Sequence, residues 1–435
     1  MRAPARVDAR RARVGRVAWG MADQVMSSAT NFLTGMFAAR TLGPEGFGYF
    51  SLLWTSYAVL LTMSRGLATD PLMVRFSDGA AGRHLVKDAI ARSTGLAVAF
   101  GTLVGALAVT GGALLGGNLG RGFVALGVVA PALLLQDSWR YASLCSAAPR
   151  QALLNDTVWG IALVPALILA IPRAGAAGFV LAWGASAAVA AGFGFVQWRI
   201  RPHVGGALGW LRQHRDLGAR YLVENVSVSG TGQIIAFGLG GLAGVAAVGS
   251  MRGAQQLLGP FTVLLYGISF VVVPEGTRIL RASPHRFRAF CLSIGGLLFT
   301  GALSLGVILT FVPDRFGRAL LGRVWDPASA LLLPCALVLA AAGLSTGGGC
   351  GLRAMGAAKR ALRAQLRSSG ATVTLGLLGA ALDGARGCCW GMAGAVAFGA
   401  GLMWYEFDGA LKEHLSSVLP ASHAPPIQVP PVFYL

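Results

Sequence analysis

The chain has 435 residues, 55% of them hydrophobic and only 12% charged, with a mean hydropathy of +0.64. Soluble domains carry about 25% charged residues, so this composition excludes a string of ordinary soluble domains and points to an integral membrane protein. The formal net charge of +19 would suit nucleic acid, but the basic residues fall in short gaps between apolar runs and form no nucleic-acid motif, which excludes that partner.

Residues 1–16, MRAPARVDARRARVGR, form a basic cytoplasmic tail. The apolar run behind it is long, is interrupted by polar residues and lacks a small-residue cleavage site, so it reads as a retained first helix rather than a signal peptide. A span takes roughly 20 mainly apolar residues. By that rule helices are expected near 17–38, 47–68, 93–115, 122–144, 153–172 and 175–197, forming an N-lobe over 17–198. A second set is expected near 219–241, 253–273, 289–312, 328–350, 368–383 and 387–407, forming a C-lobe over 219–408. Between them, residues 199–218 are a basic cytoplasmic linker whose spaced Trp and Leu suit the surface of anionic membrane lipid. The tail 409–435, ending PASHAPPIQVPPVFYL, is Pro-rich and cytoplasmic. The six cysteines show no zinc-ligand spacing, and the vicinal pair Cys388–Cys389 reads as small-residue helix packing.

The distribution of basic residues orients these spans. Of the 36 Lys and Arg, only Arg40, Arg121, Arg173, Arg252, Arg315, Arg318, Arg323 and Arg386 fall in one set of alternate gaps. The positive-inside rule therefore places both termini in the cytoplasm.

The two sets of six helices look like repeats. ADQVMSSATNF (22–32) aligns with VENVSVSGTGQ (223–233) at an offset of 201 residues, pairing Asp23 with Glu224 and Gln24 with Asn225. The same offset pairs Gly48 with Gly249, and SAAPRQALLND (146–156) resembles GAAKRALRAQ (356–365). With an even number of helices per repeat, the halves share one orientation, related by a pseudo-two-fold axis along the membrane normal.

Asp23, Ser27, Thr30, Asn31 and Thr34 share one helical face, and Glu224, Ser227 and Thr231 repeat the pattern. A charged side chain at mid-bilayer costs roughly 2.5–3.5 kcal/mol even on the gentlest scale, so these stripes must face protein or a wet cavity. The candidate substrate cavity is therefore lined by Asp23, Gln24, Ser27, Asn31, Glu224, Asn225, Ser227 and Thr231. The competing reading is that the serines simply hydrogen-bond helices together. Arg65, Arg140 and Arg252 are the candidates for binding a pyrophosphate, because the guanidinium fork pairs phosphate oxygens bidentately. Each could instead be a snorkelling anchor.

A polar first helix running into the turn ARTLGPEGFGYF before the second helix, a duplicated half, and the segment QDSWRYASLCSAAPRQALLND together resemble the multidrug/oligosaccharidyl-lipid/polysaccharide exporter superfamily. Within it the chain is similar to the bacterial polysaccharide (O-antigen type) flippases, over roughly residues 15–410. The resemblance implies a monomeric all-α protein of the bacterial inner membrane, with two six-helix lobes rocking about a central cavity. It implies a lipid-linked glycan as substrate, polysaccharide-synthesis enzymes as neighbours, and coupling to H+ or Na+ without another cofactor; Asp23 or Glu224 would carry a proton. A multidrug exporter of the same superfamily is the alternative. A polysaccharide polymerase or ligase is more remote, since the longest outer stretch, VPDRFGRALLGRVWDPAS (312–329), carries no His. No catalytic or metal-binding residue is expected, and the protein is not expected to be an enzyme.

Overall fold

Helices are the only regular elements among the described residues, as lipid burial demands: a helix satisfies every backbone N–H and C=O within its own segment. The computed structural model of the chain describes residues 3–77, 82–170 and 175–418, giving the backbone alone for 3–14, 16, 17, 170, 223–229, 266, 269, 270, 417 and 418. Helix α1 (Ala3–Ser64) passes through a π turn (Arg65–Thr69) into α2 (Asp70–Phe76), followed by α3 (Arg83–Leu115), α4 (Gly117–Cys145), α5 (Pro149–Ala170) and α6 (Gly175–Trp198). A short α7 (Ala207–Gln213) leads to α8 (Arg215–Ala243), α9 (Val245–Ala282) and α10 (Pro284–Thr310). The chain closes with α11 (Asp314–Leu321), α12 (Trp325–Ser329), α13 (Leu332–Ala354) and α14 (Ala358–Val418).

Two of these are pairs of helices joined at a kink. In α1 the break is Gly43, at φ 68° and ψ 178°. Glycine reaches that positive φ without a Cβ clash, and Pro44 then opens the second arm, where its missing N–H costs nothing. The Leu-Gly-Pro turn of the sequence is thus a hinge between two spans. In α14 Asp383 and Gly384 break the helix, with Gly384 at φ 54°. Counting both arms, each of the twelve expected spans overlaps a helical segment; that at 328–350 starts on α12 and crosses a turn at 330–331 into α13, and that at 153–172 is described as far as Ala170. The short one expected at 368–383 is the far end of a longer arm that begins at Ala358. Seven helices among the described residues (α3, α4, α5, α6, α10, α13 and α14) are individually long and apolar enough to cross a membrane.

The chain divides into two compact units: Met1–Leu257 with Phe311–Leu331 and Gly379–Cys388, and Leu258–Thr310 with Leu332–Leu378 and Cys389–Leu435. In the first, small residues set the helix spacing. A Cβ on Gly105 or Gly127 would run into the other's carbonyl, as would one on Gly112 or Gly120, so α3 and α4 lie backbone to backbone. An aromatic cluster fills the centre, with Trp54 and Tyr57 at 4.7 and 4.6 Å from Trp183 by ring centroid, and Trp159 Nε1 donating to Ser186 Oγ at 3.0 Å. Within the second unit α10 meets α13 through Gly295, Gly347 and Gly306, and Trp404 Nε1 of α14 donates to Leu344 O at 3.0 Å.

Gly48 and Gly249, paired by the 201-residue offset, lie against each other inside the first unit. A Cβ on Gly48 would overlap Val245 O, and one on Gly249 would overlap Pro44 O and come within 2.9 Å of Gly48 N. Equivalent positions of two repeats meet in this way beside a two-fold axis. Here both must be glycine because backbone touches backbone.

Two stretches expected as plain connections are folded. The outer segment 312–329 forms α11 and α12, tied by Trp325 Nε1 donating to Asp314 Oδ1 at 2.8 Å and by an Arg318–Asp326 ion pair at 2.8 Å. The linker contains α7, whose Trp210 is buried in one apolar cluster with Leu72, Ile90 and Trp139 and donates from Nε1 to Leu67 O at 3.3 Å. His214 stands at the α7–α8 junction, 2% exposed, stacked on Trp210 at 4.0 Å with Phe76 at 6.4 Å. Its Nδ1 faces Trp210 O at 3.0 Å and so carries the proton, while the buried Nε2 has no partner. Burial pushes the imidazole below its ordinary value; the Trp210 carbonyl and Asp216 oppose this, and Arg75, paired to Asp216 at 3.0 Å, adds to it.

Gly48→Ala and Gly249→Ala are each expected to lower stability by about 1–3 kcal/mol, the usual cost of overpacking, read as a lowered thermal midpoint in detergent. Because burial lowers the His214 imidazole in the folded state, the unfolded chain binds more protons around and below the free imidazole value of ~6.5. The junction therefore loses stability as pH falls below that value and holds it above. Backbone hydrogen exchange of residues 207–218, corrected for intrinsic rate, should speed up from about pH 7.5 to about pH 5.5, across the imidazole value, and His214→Gln should remove that response.

Candidate functional site

Asp23 lies on the first arm of α1, 2% exposed. A lone carboxylate there would be costly, and the fold supplies a partner from α4. Arg140 donates from Nε and Nη2 to Asp23 Oδ2 at 2.9 and 2.8 Å, and from Nη2 to Gln24 Oε1 at 3.2 Å. Asp156 of α5 approaches the same guanidinium at 3.7 Å and accepts a hydrogen bond from Gln136 Nε2 at 2.8 Å. Gln136 also reaches Asn155 Oδ1 at 3.3 Å, and Asn155 Nδ2 donates to Ala190 O and Gln197 Oε1 of α6 at 2.9 and 3.0 Å. A chain of amides thus fixes three helices around one ion cluster.

A second pair lies alongside. Arg65 opens the π turn, a geometry that often marks functional positions, and its fork meets Asp137 squarely. Nε is 3.0 Å from Oδ2 and Nη2 is 2.6 Å from Oδ1, with the guanidinium 5.3 Å from the Tyr141 ring centroid. Asp137 is a residue of α4, one turn before Arg140, so α4 presents both signs to its neighbours.

Charge counting separates these groups. Among the described residues the ion-pair partners of Asp23, Asp137 and Asp156 are Arg65 and Arg140, so with every group ionised this set carries one negative charge more than it pairs. The surplus shows in the hydrogen bonding: Asp23 Oδ1 and Asp156 Oδ2 are buried without a hydrogen-bond partner. Arg252 on α9 has the opposite problem. It donates to Thr55 Oγ1 at 3.0 Å and Gln255 Oε1 at 3.3 Å, its Nε is buried without a partner, and no carboxylate among the described residues pairs with it. Next to it, Gln256 Nε2 donates to Phe32 O at 2.8 Å and ties α9 to the first arm of α1.

The expected residues therefore separate. Asp23, Gln24 and Arg140 come together; Arg65 is held by Asp137, and Arg252 stands apart at Thr55. Gln24 is exposed, and Ser27 and Asn31 are half-buried on the same arm. Thr30 and Thr34 donate to carbonyls of their own helix at 2.9 and 2.7 Å, which leaves them little to offer a ligand. Thr231 is half-buried on α8, whereas the side chains of Glu224, Asn225 and Ser227 lie outside the described residues. Sequence reasoning passed over Asp137, Asp156, Gln136 and Asn155 as site residues. The available signal was that each acid in an apolar span needs a cation at the same depth, and Arg65 and Arg140 were the only candidates nearby.

No family model matches the sequence, and no curated protein matches it either. The fold, by contrast, is found in solved transporters of the MOP superfamily. One is a multidrug resistance MATE family transporter in its inward-facing conformation, at TM-score 0.74 and 12% identity, covering 93% of this chain and 100% of that one. Another is the lipid II flippase MurJ in its inward closed conformation, at TM-score 0.65 and 11% identity, covering 94% and 93%. A third, from Pyrococcus furiosus, is a MOP superfamily transporter for which a binding pocket of reversed polarity suggested a different function, at TM-score 0.58 and 14% identity, covering 92% and 95%.

Removing one partner of a buried ion pair costs about 3–5 kcal/mol, whereas replacing both with apolar residues is often neutral. Arg65→Leu alone should therefore lower the thermal midpoint sharply, and Arg65→Leu with Asp137→Leu should restore most of it. A double variant no more stable than the single one would show that the bidentate pair is not what holds the π turn to α4.

Proposed function

We propose that this protein is a flippase that carries polyprenyl-pyrophosphate-linked glycans from the inner to the outer leaflet of the bacterial cytoplasmic membrane. The observation that carries the reading is Arg252: a guanidinium inside the membrane fold with a buried, unpartnered Nε and no carboxylate beside it among the described residues. A buried cation without an anion is unfavourable by itself, and a pyrophosphate supplies what it lacks. Arg65 and Arg140 are neutralised already, so they fit gating or coupling better than holding the pyrophosphate. In this reading the lobes 17–198 and 219–408 rock about a central cavity with both termini cytoplasmic, and no chemistry is performed on the substrate. The surplus carboxylate of the Asp23–Asp156 cluster is the place where a coupling proton or sodium ion would sit. The lipid II flippase among the structural neighbours supports the substrate class only by fold.

A second reading rests on the same surplus. An uncompensated acid within the membrane suits a cationic drug, and the MATE transporter among the neighbours is a multidrug one. Deleting the gene separates the two. Accumulation of a polyprenyl-linked glycan on the cytoplasmic leaflet would establish the flippase, and drug hypersensitivity without it would establish the exporter.

Asp23→Ala and Glu224→Ala are each expected to abolish export while the protein still inserts. Arg252→Gln should weaken binding of the lipid-linked pyrophosphate by about 10–100-fold, the size of one charge-assisted hydrogen bond of ~1.5–3 kcal/mol. Normal surface polysaccharide from all three variants would remove the cavity assignment.

A further inference from the structure

Three of the six cysteines lie towards the ends of helices that the charge distribution turns to the cytoplasm: Cys145 closes α4, Cys291 stands near the start of α10, and Cys350 near the end of α13. The other three lie at the opposite ends. Cys335 is in the first turn of α13, and Cys388 and Cys389 follow the Asp383–Gly384 kink of α14. Among these, Cys335 and Cys389 point at each other within the second unit, Sγ to Sγ 3.6 Å, at 5% and 1% exposure. The approach is built by small residues. Gly306 lets Ala336 seat α13 on α10, and Gly391 brings the second arm of α14 onto the Leu375 carbonyl.

We propose that Cys335 and Cys389 are joined by a disulfide in the mature protein, formed on the oxidising outer side of the membrane. The proposal rests on the orientation given above, which puts these helix ends outside, where disulfides persist. Two facing thiols at this separation close by small side-chain rotations. The bond forms during insertion, before burial shuts the pair away. One thiolate, Cys389, attacks the disulfide of a thiol–disulfide carrier protein, giving a mixed disulfide and one carrier thiolate. The Cys335 thiolate then attacks the Cys389 sulfur and expels the second carrier thiolate. The two cysteines lose two protons and two electrons, and the carrier's disulfide is reduced to a dithiol, so the step balances. The product ties the start of α13 to the second arm of α14 across 54 positions of chain, restricting the unfolded state. The inner cysteines face a reducing compartment and stay thiols.

The full-length protein in isolated membranes is alkylated with N-ethylmaleimide in denaturing detergent, then reduced and labelled with maleimide-polyethylene glycol. The expected result is two adducts per chain, lost in Cys335→Ser and in Cys389→Ser and kept in Cys388→Ser. Reductant should also lower the thermal midpoint of the wild type and leave that of Cys335→Ser unchanged. No adduct after reduction, or adducts that persist in Cys335→Ser, would overturn the proposal. A carboxy-terminal reporter that fluoresces only in the cytoplasm reads the orientation independently. A fluorescent tail with six free thiols refutes the disulfide alone, and a dark tail refutes the orientation, while the thiol count decides the bond in either case.

Discussion

The constraint on which the rest of this structure depends is that a carboxylate inside a membrane protein must be answered by a cation at the same depth. Arg140 answers Asp23 at 2.8 Å and Arg65 answers Asp137 at 2.6 Å; those two pairs fix α1 and the π turn against α4, and Asp156, 3.7 Å from Arg140, brings in α5. Each acid and each arginine is contributed by a different turn, so sliding any helix by one residue would leave both partners unpaired. The amide relay from Gln136 through Asn155 to Gln197 extends the same demand to α6. Apolar packing against lipid-like side chains specifies register weakly; these ions specify it strongly.

How much of this was legible in the sequence follows the same division. The spans were readable because span length and hydropathy are local properties, and the Gly43–Pro44 hinge was visible as a turn motif for the same reason. The polar stripe of α1 was readable as a face, and Asp23 was readable as expensive. What faces it was not, because Asp23 and Arg140 are 117 positions apart and one-dimensional periodicity carries no depth coordinate. Arg65 looked free to bind phosphate for the same reason; in the fold its fork already holds a carboxylate. Helices α7 and α11 were missed because each is about two turns long and owes its existence to tertiary partners, Trp210 on Leu67 and Trp325 on Asp314.

Glycine plays the complementary role. Ion pairs fix which residues meet, and glycines fix how near the backbones come. Gly105 with Gly127 and Gly112 with Gly120 bring α3 and α4 into contact along their length, a spacing that lipid alone does not favour. The contact between Gly48 and Gly249 is more informative, since these are the positions that the internal offset equates. A side chain at either position would strain the same backbone contact.

The two ion environments predict different energetics for an anionic ligand. At Arg140 a phosphate must displace Asp23, so it trades one charge-assisted bond for another and leaves a bare carboxylate unless that carboxylate takes up a proton or a cation. Binding there is an exchange, nearly balanced by construction, and is linked to whatever ion neutralises the released acid. At Arg252 no carboxylate is displaced among the described residues, so the interaction is a gain. In the flippase reading proposed above both would be needed, because a site that only gains holds its cargo too firmly to release it. In that reading Arg252 would hold the pyrophosphate, and the Asp23–Arg140–Asp156 cluster, carrying one carboxylate more than it can pair within reach of Arg140, would supply the ion-linked step that releases it.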